Sequence, residues 1–198
     1  MSDARADVLG RIRSALGPAP EVPAIPRRYR TAGAQPADVA RFCERVADYR
    51  AAVHRVASEA LDRKVRELVG RRVAVAPYPP CAIGGFDAVT DDPPLATDAL
   101  DAVDTVLTGC ALAIAETGTI VLDGSPSSGR RALTLIPDHH VCVVRADQVV
   151  AHVPDALAAL HPAAPLTFVS GPSATSDIEL ERVEGVHGPR RLDVVVVD

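Results

Sequence analysis

Two patterns of apolar residues alternate along this chain. Beyond residue 36, stretches with apolar residues at helical spacing alternate with short runs in which almost every residue is apolar. A run such as Val194–Val197 has no polar face, which is typical of a strand covered on both sides of its sheet. The alternation therefore predicts an α/β fold of packed layers around a mainly parallel sheet.

The same patterns predict where individual elements lie. Helices are predicted over 2–16, 36–49 and 58–69, and near 98–102, 148–160 and 175–182. Strands are predicted over 51–57, 73–76, 103–107, 112–115, 119–122, 133–135, 141–144, 166–169 and 192–197. The stretch 77–94 is rich in proline and glycine, and we expect it to form a loop.

The composition of the chain changes near residue 36. Residues 17–36 hold five prolines and three arginines, which is typical of an extended arm. We therefore expect an N-terminal helix and arm over residues 1–35 and an α/β domain over residues 36–198. The arm is either a solvated linker or a clasp around a partner or a second subunit, and the sequence leaves both open.

Composition also excludes several classes of function. The net charge of −5 and the aromatic content of 3% argue against a nucleic-acid-binding protein. No apolar run approaches the roughly 20 residues that a membrane span needs. The four cysteines include no CxxC pair, so we expect no metal, no iron–sulfur cluster and no bound cofactor. Reduced thiols favour a cytoplasmic protein.

Common catalytic signatures are missing from the sequence. It contains no GxGxxG after a strand, no GxxxxGK[ST], no GxSxG and no HExxH. Candidate chemistry therefore lies in the polar, glycine-containing junctions beside the apolar strands.

The first junction separates two predicted strands. It places Glu116, Thr117, Gly118 and Thr119 at a turn, where a carboxylate, two hydroxyls and a flexible backbone could meet a ligand. The alternative is a hairpin turn whose hydroxyls satisfy its own amides.

The next two junctions carry arginine and histidine. Residues 124–131 combine hydroxyls, glycines and two arginines, and Arg130 is the candidate for holding an anion. A solvated surface loop is the alternative. His139 and His140 precede a strand, and neighbours in an extended segment point to opposite faces, so at most one should face a site. We expect His140 to be a satisfied loop residue.

Two further turns lie near the C-terminus. Gly171, Ser173, Thr175 and Asp177 follow a predicted strand and open a predicted helix, whose free N–H groups could bind an anion. Simple capping of that helix is the alternative. His187 lies in a tight turn next to Gly188.

We expect the turns at 116–119, 170–177 and 187–189 to meet in one cleft at the carboxyl edge of the sheet. In that cleft, backbone N–H groups and Arg130 would hold an anionic group. Glu116 and His187 would be the proton-transfer pair, because a carboxylate and an imidazole can both be tuned toward neutral pH. The alternative is that each turn is separately structural.

The ordered set of these segments resembles the lactate utilization protein C family, also called LutC or YkgG, whose core is the LUD domain. The segments that carry the resemblance are AETGTIVL, GRR, IPDHHVCVV, SGPSATSDIE and GVHGPRRLDVVVV. The resemblance implies a layered α/β fold like that of the NagB/ribose-5-phosphate isomerase/CoA-transferase (NagB/RpiA/CoA-transferase) group.

The resemblance also implies a function. It points to an accessory protein in the oxidation of L-lactate to pyruvate, with iron–sulfur partner proteins and a cleft for a small anion. Two alternatives come from the same fold group: an independent acyl- or CoA-transferase that uses Glu116, and a regulator that binds a phosphosugar or a nucleotide. The resemblance assigns no catalytic residue and leaves open whether the chain is an enzyme.

Overall fold

The chain forms two compact units, residues 1–30 and 31–198. The computed structural model describes residues 4–18, 24–33, 35–175, 183–184 and 187–198. In the first unit, helix α1 (Ala4–Leu16) buries none of its residues. Its apolar side chains Val8, Ile12 and Leu16 are each about half exposed.

The second unit contains four further α-helices and twelve strands among its described residues. The helices are α2 (Val39–Asp48), α3 (Leu61–Leu68), α4 (Thr97–Asp101) and α5 (Val153–Ala159). The strands are β1 (Ala52–Val56), β2 (Arg72–Val75), β3 (Asp87–Thr90), β4 (Thr105–Thr108), β5 (Leu112–Ile114), β6 (Thr119–Leu122), β7 (His139–Arg145), β8 (Val149–Val150), β9 (Thr167–Val169), β10 (Ala174–Thr175), β11 (Val183–Glu184) and β12 (Arg191–Val197). No helix in the described part of the chain has the length and apolar character of a membrane span.

Six of the strands form the main sheet, in the order β1-β12-β7-β4-β2-β3. Every neighbouring pair in it is parallel. A smaller sheet has the order β8-β5-β6-β9, in which β6 is antiparallel to both β5 and β9. The predicted α/β class with a mainly parallel sheet is confirmed, and the second sheet was not predicted.

The side-chain alternation of β7 and β12 divides the core into two faces. The even-numbered residues Cys142, Val144, Val194 and Val196 pack with α2 and the smaller sheet. The odd-numbered residues Val141, Val143, Val195 and Val197 pack with Val65 of α3. On its far side the smaller sheet packs against Ala156 of α5. The layers are therefore α3, the main sheet, α2 with the smaller sheet, and α5.

Three predicted elements are wrong. Residues 133–135 form turns rather than a strand, with Leu133 N–H donating to the Arg130 carbonyl, although the Leu133 side chain is buried as a strand residue would be. Strand β3 lies inside the stretch expected to be a loop. The helix predicted over 148–160 is shortened to α5, because Pro154 lacks an N–H group and fits only the first turn of a helix.

The helix predicted near 175–182 does not begin at residue 175 in the structure. Ala174 and Thr175 form strand β10, which pairs antiparallel with β11. Residues 176–182 lie outside the described residues.

A buried carboxylate joins three strands of the main sheet. Asp193 of β12 is only 1% exposed and accepts hydrogen bonds from His54 Nε2 of β1 (2.7 Å) and from His139 Nε2 of β7 (2.8 Å). Arg191 Nε donates to the same carboxylate at 2.9 Å. With Nε2 of His139 donating to Asp193, its Nδ1 accepts from the Thr105 hydroxyl of β4 at 3.0 Å. The network therefore links four strands by side chains.

Hydrogen bonds decide the protonation state of Asp193. Burial alone would raise the pKa of this carboxyl, but the bonds from His139 and His54 and the charge of Arg191 outweigh burial and lower the pKa to about 2. The carboxylate is therefore ionised at neutral pH.

The turn between β5 and β6 packs directly on helix α2. Gly118 has φ +59°, and a Cβ on it would lie 2.6 Å from Arg45 C and Val46 N. This position therefore needs glycine for its backbone conformation and for its close approach to the helix.

We predict that Asp193→Asn removes a pH-dependent part of the stability. Because the folded-state pKa lies below the unfolded value of about 3.9, the carboxylate stabilises the fold above that pH, and the contribution of about 2–3 kcal/mol is lost as the pH falls toward 2. Urea unfolding at several pH values measures this effect. The control is Asp147→Asn, which changes an exposed carboxylate paired with Arg145. An unchanged slope of unfolding free energy against pH in Asp193→Asn would contradict the assignment.

We predict that Gly118→Ala lowers the free energy of unfolding by at least about 2 kcal/mol, because the new methyl group meets the α2 backbone and the left-handed conformation is strained. The matched control is Gly84→Ala, since nothing lies within 4 Å of the position of its added Cβ. Denaturant midpoints compare the two variants, and equal midpoints would refute the close packing of the turn.

Candidate functional site

A cleft of about 330 Å³ opens at the amino ends of β7 and β12. The segments 167–173 and 187–189 line it, together with Tyr49, Arg131, Thr134, His140 and Leu192. We call it the amino-edge cleft. Its position differs from the prediction, which placed the turns at the carboxyl edge of a parallel sheet, because β5 and β9 belong to the smaller sheet.

Two of the predicted turns lie at the same edge of that smaller sheet. Both β5 and β9 are antiparallel to β6, so they run in the same direction and end at the same edge. Thr119 Oγ1 lies 2.7 Å from Ser170 Oγ and 2.7 Å from Thr117 Oγ1. A row of hydroxyls therefore leads from the turn beside Glu116 to the cleft wall at Ser170.

The turns at Ser173 and His187 are joined by two hydrogen bonds. Ser173 N–H donates to the Pro189 carbonyl at 2.8 Å, and His187 N–H donates to Ser173 Oγ at 3.0 Å. Both bonds use backbone atoms of the second turn, so the His187 imidazole takes no part in them. The side chain of His187 is exposed and is part of the cleft lining.

Arg131 gives the cleft its positive charge. Its Nη1 donates to the Thr134 carbonyl at 2.9 Å and to Thr134 Oγ1 at 3.2 Å, and its Nη2 donates to the His187 carbonyl at 2.9 Å. These acceptors are neutral, and no carboxylate of the described residues forms an ion pair with Arg131. A guanidinium has five N–H donors, so donors remain for an anionic ligand.

His140 also lines the amino-edge cleft, although the sequence analysis did not propose it as a site residue. It belongs to β7, and its Nε2 lies 2.8 Å from Thr108 Oγ1 in the core. The expectation that His140 is a loop residue is wrong, since it is a buried strand residue that lines the cleft. His139 points to the opposite face of the sheet, toward Asp193, as the alternation predicts.

Other predicted site residues lie elsewhere. Arg130 makes a bidentate ion pair with Asp91, with Nε and Nη2 at 2.8 and 2.9 Å, and donates to the Leu95 carbonyl. It borders an adjoining hollow of about 140 Å³, which shares Arg131, Thr134 and Thr167 with the amino-edge cleft, but Arg130 itself does not line that cleft. Arg130 therefore fixes the loop that contains Asp91.

Glu116 lies in the hairpin turn, where its N–H donates to the Ala151 carbonyl at 3.1 Å. It is not among the residues that line the amino-edge cleft. Thr175 lies in β10 and pairs with Val183, and Asp177 lies outside the described residues. The structure thus brings Gly171, Ser173 and His187 into one cleft, with Thr119 behind them.

Two signals could have identified the missed residues. Arg131 follows Arg130 directly in the sequence, so either could have been the cleft arginine. His140 has the same parity as Leu192 in the register of β7 and β12, and both line the cleft. Among the described residues, no group of three or more His, Cys, Asp or Glu side chains could hold a metal ion.

Comparison with known proteins identifies the family. The LUD domain profile matches residues 95–197. Lactate utilization protein C from Deinococcus radiodurans is 52% identical over 165 residues, covering 79% of this chain and 78% of that protein. Lactate utilization protein C 1 from Bacillus mycoides is 35% identical over 106 residues, covering 49% of this chain and 44% of that protein.

A solved structure agrees with the sequence matches. The crystal structure of a DUF162 family protein from Deinococcus radiodurans shares 41% sequence identity and a TM-score of 0.65 with this chain, and covers 81% of this chain and 96% of that one. The resemblance noted in the sequence is thereby confirmed. The chain belongs to the lactate utilization protein C family of LUD domain proteins.

Proposed function

We propose that this chain is an accessory protein of L-lactate utilization that binds a small carboxylate in the amino-edge cleft. The observation that carries the proposal is the guanidinium of Arg131, which lines the cleft and is held only by neutral oxygens among the described residues. A carboxylate is the natural partner of such a group, because the two can form charge-assisted hydrogen bonds.

The rest of the lining suits a hydroxy or oxo acid. The hydroxyls of Ser170, Ser173 and Thr134 offer hydrogen bonds, and the His140 and His187 imidazoles offer donors or acceptors. Phe168 and Leu192 supply apolar surface for the carbon chain. A few polar groups in a partly apolar hollow are typical of small-molecule sites.

We assign the electron transfer to partner proteins. Oxidation of L-lactate to pyruvate releases two electrons and two protons, and the electrons need an acceptor such as an iron–sulfur cluster. The four cysteines of this chain lack the close spacing of cluster ligands, so the proposal places the clusters on the partners. The contribution of this chain is to bind the substrate or product anion during that transfer.

We predict that L-lactate and pyruvate bind to the purified protein and that Arg131→Gln weakens both. Loss of a charge-assisted hydrogen bond costs about 1.5–3 kcal/mol, so Kd should rise about 10- to 150-fold. Isothermal titration calorimetry measures the change. Arg131→Lys keeps the charge and should lose less affinity than Arg131→Gln.

Two controls separate specific binding from general effects. Arg190→Gln removes a nearby exposed arginine that pairs with Asp138, and it should leave the affinity unchanged. Lactamide has the shape of lactate without its charge, and it should not bind measurably. Equal affinities of the parent and Arg131→Gln, or equal binding of lactate and lactamide, would refute a carboxylate site at Arg131.

We predict that deleting the gene for this chain prevents growth on L-lactate and leaves growth on pyruvate unchanged, because only the oxidation step needs the protein. A tagged chain isolated anaerobically from lactate-grown cells should carry partner proteins that contain iron and acid-labile sulfide. Full growth of the deletion strain on lactate would refute the role in lactate utilization. Isolation of the tagged chain without iron-containing partners would refute the proposed assembly.

A further inference from the structure

A row of three hydroxyl groups ends at the wall of the amino-edge cleft, and we call it the hydroxyl row. It consists of Thr117, Thr119 and Ser170, in which Thr119 Oγ1 lies 2.7 Å from each of the other two hydroxyl oxygens. Ser170 is part of the cleft lining, whereas Thr117 and Thr119 are not. The row therefore connects the cleft wall to the turn between β5 and β6.

The register of the smaller sheet sets the spacing of the hydroxyl row. Strand β6 pairs antiparallel with β9, with Ile120 opposite Val169. The next positions in that register are Thr119 and Ser170, so their side chains lie on the same face and within reach of one another. Thr119 is only 5% exposed. The middle hydroxyl of the row is therefore held in place and shielded from water.

The middle hydroxyl has to donate to one neighbour and accept from the other. A hydroxyl has one proton, and that of Thr119 makes no hydrogen bond to any further described residue. A buried hydroxyl that donates to nothing is costly. At both contacts either oxygen can be the donor. The row therefore has two states, which run in opposite directions.

The two states differ in what Ser170 offers to the cleft. In the first state, Thr117 donates to Thr119 and Thr119 donates to Ser170, so the Ser170 hydroxyl remains free to donate. In the second state, Ser170 donates to Thr119 and Thr119 donates to Thr117, so Ser170 Oγ remains free to accept. Thr117 is partly exposed, and its proton can then go to water. Only protons have to reorient between the two states.

The two ligands of the proposed function differ in the same property. The C2 hydroxyl of L-lactate can donate a hydrogen bond, whereas the C2 carbonyl of pyruvate can only accept one. A site that offers only a donor, or only an acceptor, leaves a polar group unpaired with one of the two acids. A hydroxyl row that reverses its direction pairs with both.

We propose that Ser170 contacts the C2 oxygen of a bound 2-hydroxy or 2-oxo acid, and that the hydroxyl row reverses between the two, so that one cleft holds both substrate and product. This inference rests on the proposed function, since the ligand is the carboxylate that binds at Arg131. Ser170 is then a residue that determines specificity, and Thr117 and Thr119 are positioning residues that act through it.

The first test asks whether Ser170 meets the C2 oxygen. Propionate has the carboxylate of lactate and pyruvate but no C2 oxygen. In Ser170→Ala, titration calorimetry should show the Kd of L-lactate and of pyruvate raised about 2- to 12-fold, and the Kd of propionate unchanged. Equal weakening of all three acids would show that Ser170 only shapes the cleft, and would overturn the contact.

The second test fixes the direction of the row. Thr117→Val removes the far hydroxyl with little change of shape, so the buried Thr119 keeps Ser170 as its one acceptor and Ser170 is left as a donor. The ratio of the lactate Kd to the pyruvate Kd should then rise about 2- to 12-fold. Thr117→Ser keeps the hydroxyl and should restore the parent ratio. Thr31→Val, which removes an exposed hydroxyl outside the cleft, should leave the ratio unchanged.

The ratio separates this inference from a general loss of structure and from the proposed function. Both constants come from one preparation, so partial unfolding lowers the number of binding sites and not the ratio. A parent protein that binds neither acid would overturn the proposed function, and this inference with it. A parent that binds both acids, with an unchanged ratio in Thr117→Val, would overturn the reversal of the hydroxyl row alone.

Discussion

The buried carboxylate of Asp193 links neighbouring strands of the main sheet by side-chain hydrogen bonds. These add to the backbone hydrogen bonds of the parallel pairing. The carboxylate accepts hydrogen bonds from β1 and β7, the two neighbours of β12, and from Arg191 of β12 itself. A buried carboxylate without such partners would cost several kcal/mol. The arrangement therefore requires β1, β12 and β7 to be in one register, and that register sets the amino ends where the cleft opens.

The register also explains how one pair of strands serves two separate chemistries. Odd-numbered residues at the start of β7 and β12 supply the Asp193 network, which stabilises the sheet on the side of α3. Even-numbered residues supply His140, Leu192 and Cys142 on the opposite side. A shift of one residue in the register of a strand would move each set of side chains to the other face of the sheet. Structural and functional groups are therefore separated only by whether their residue numbers are odd or even.

The sequence predicts the layered class and most strands of the main sheet, because continuous apolar runs such as Val194–Val197 allow few other structures. It does not predict the turns at 131–135, since Leu133 is as buried there as it would be in a strand. It proposes Ser173 and His187 for one cleft, and both line the amino-edge cleft, but it chooses Arg130 over Arg131. That choice depends on Asp91, nearly forty residues away, which pairs with Arg130 and leaves the next arginine to face the cleft.

The sheet order has a consequence for the synthesis of the protein. Strand β1 is the first strand of the second unit along the chain, and β12, the last of its described strands, is its neighbour in the sheet and lies between β1 and β7. Until β12 has been synthesised, β1 has no neighbour in the main sheet and β7 has an unpaired edge. The sheet can close only after β12 has left the ribosome, so a chain that lacks β12 exposes two strand edges to aggregation and to proteases.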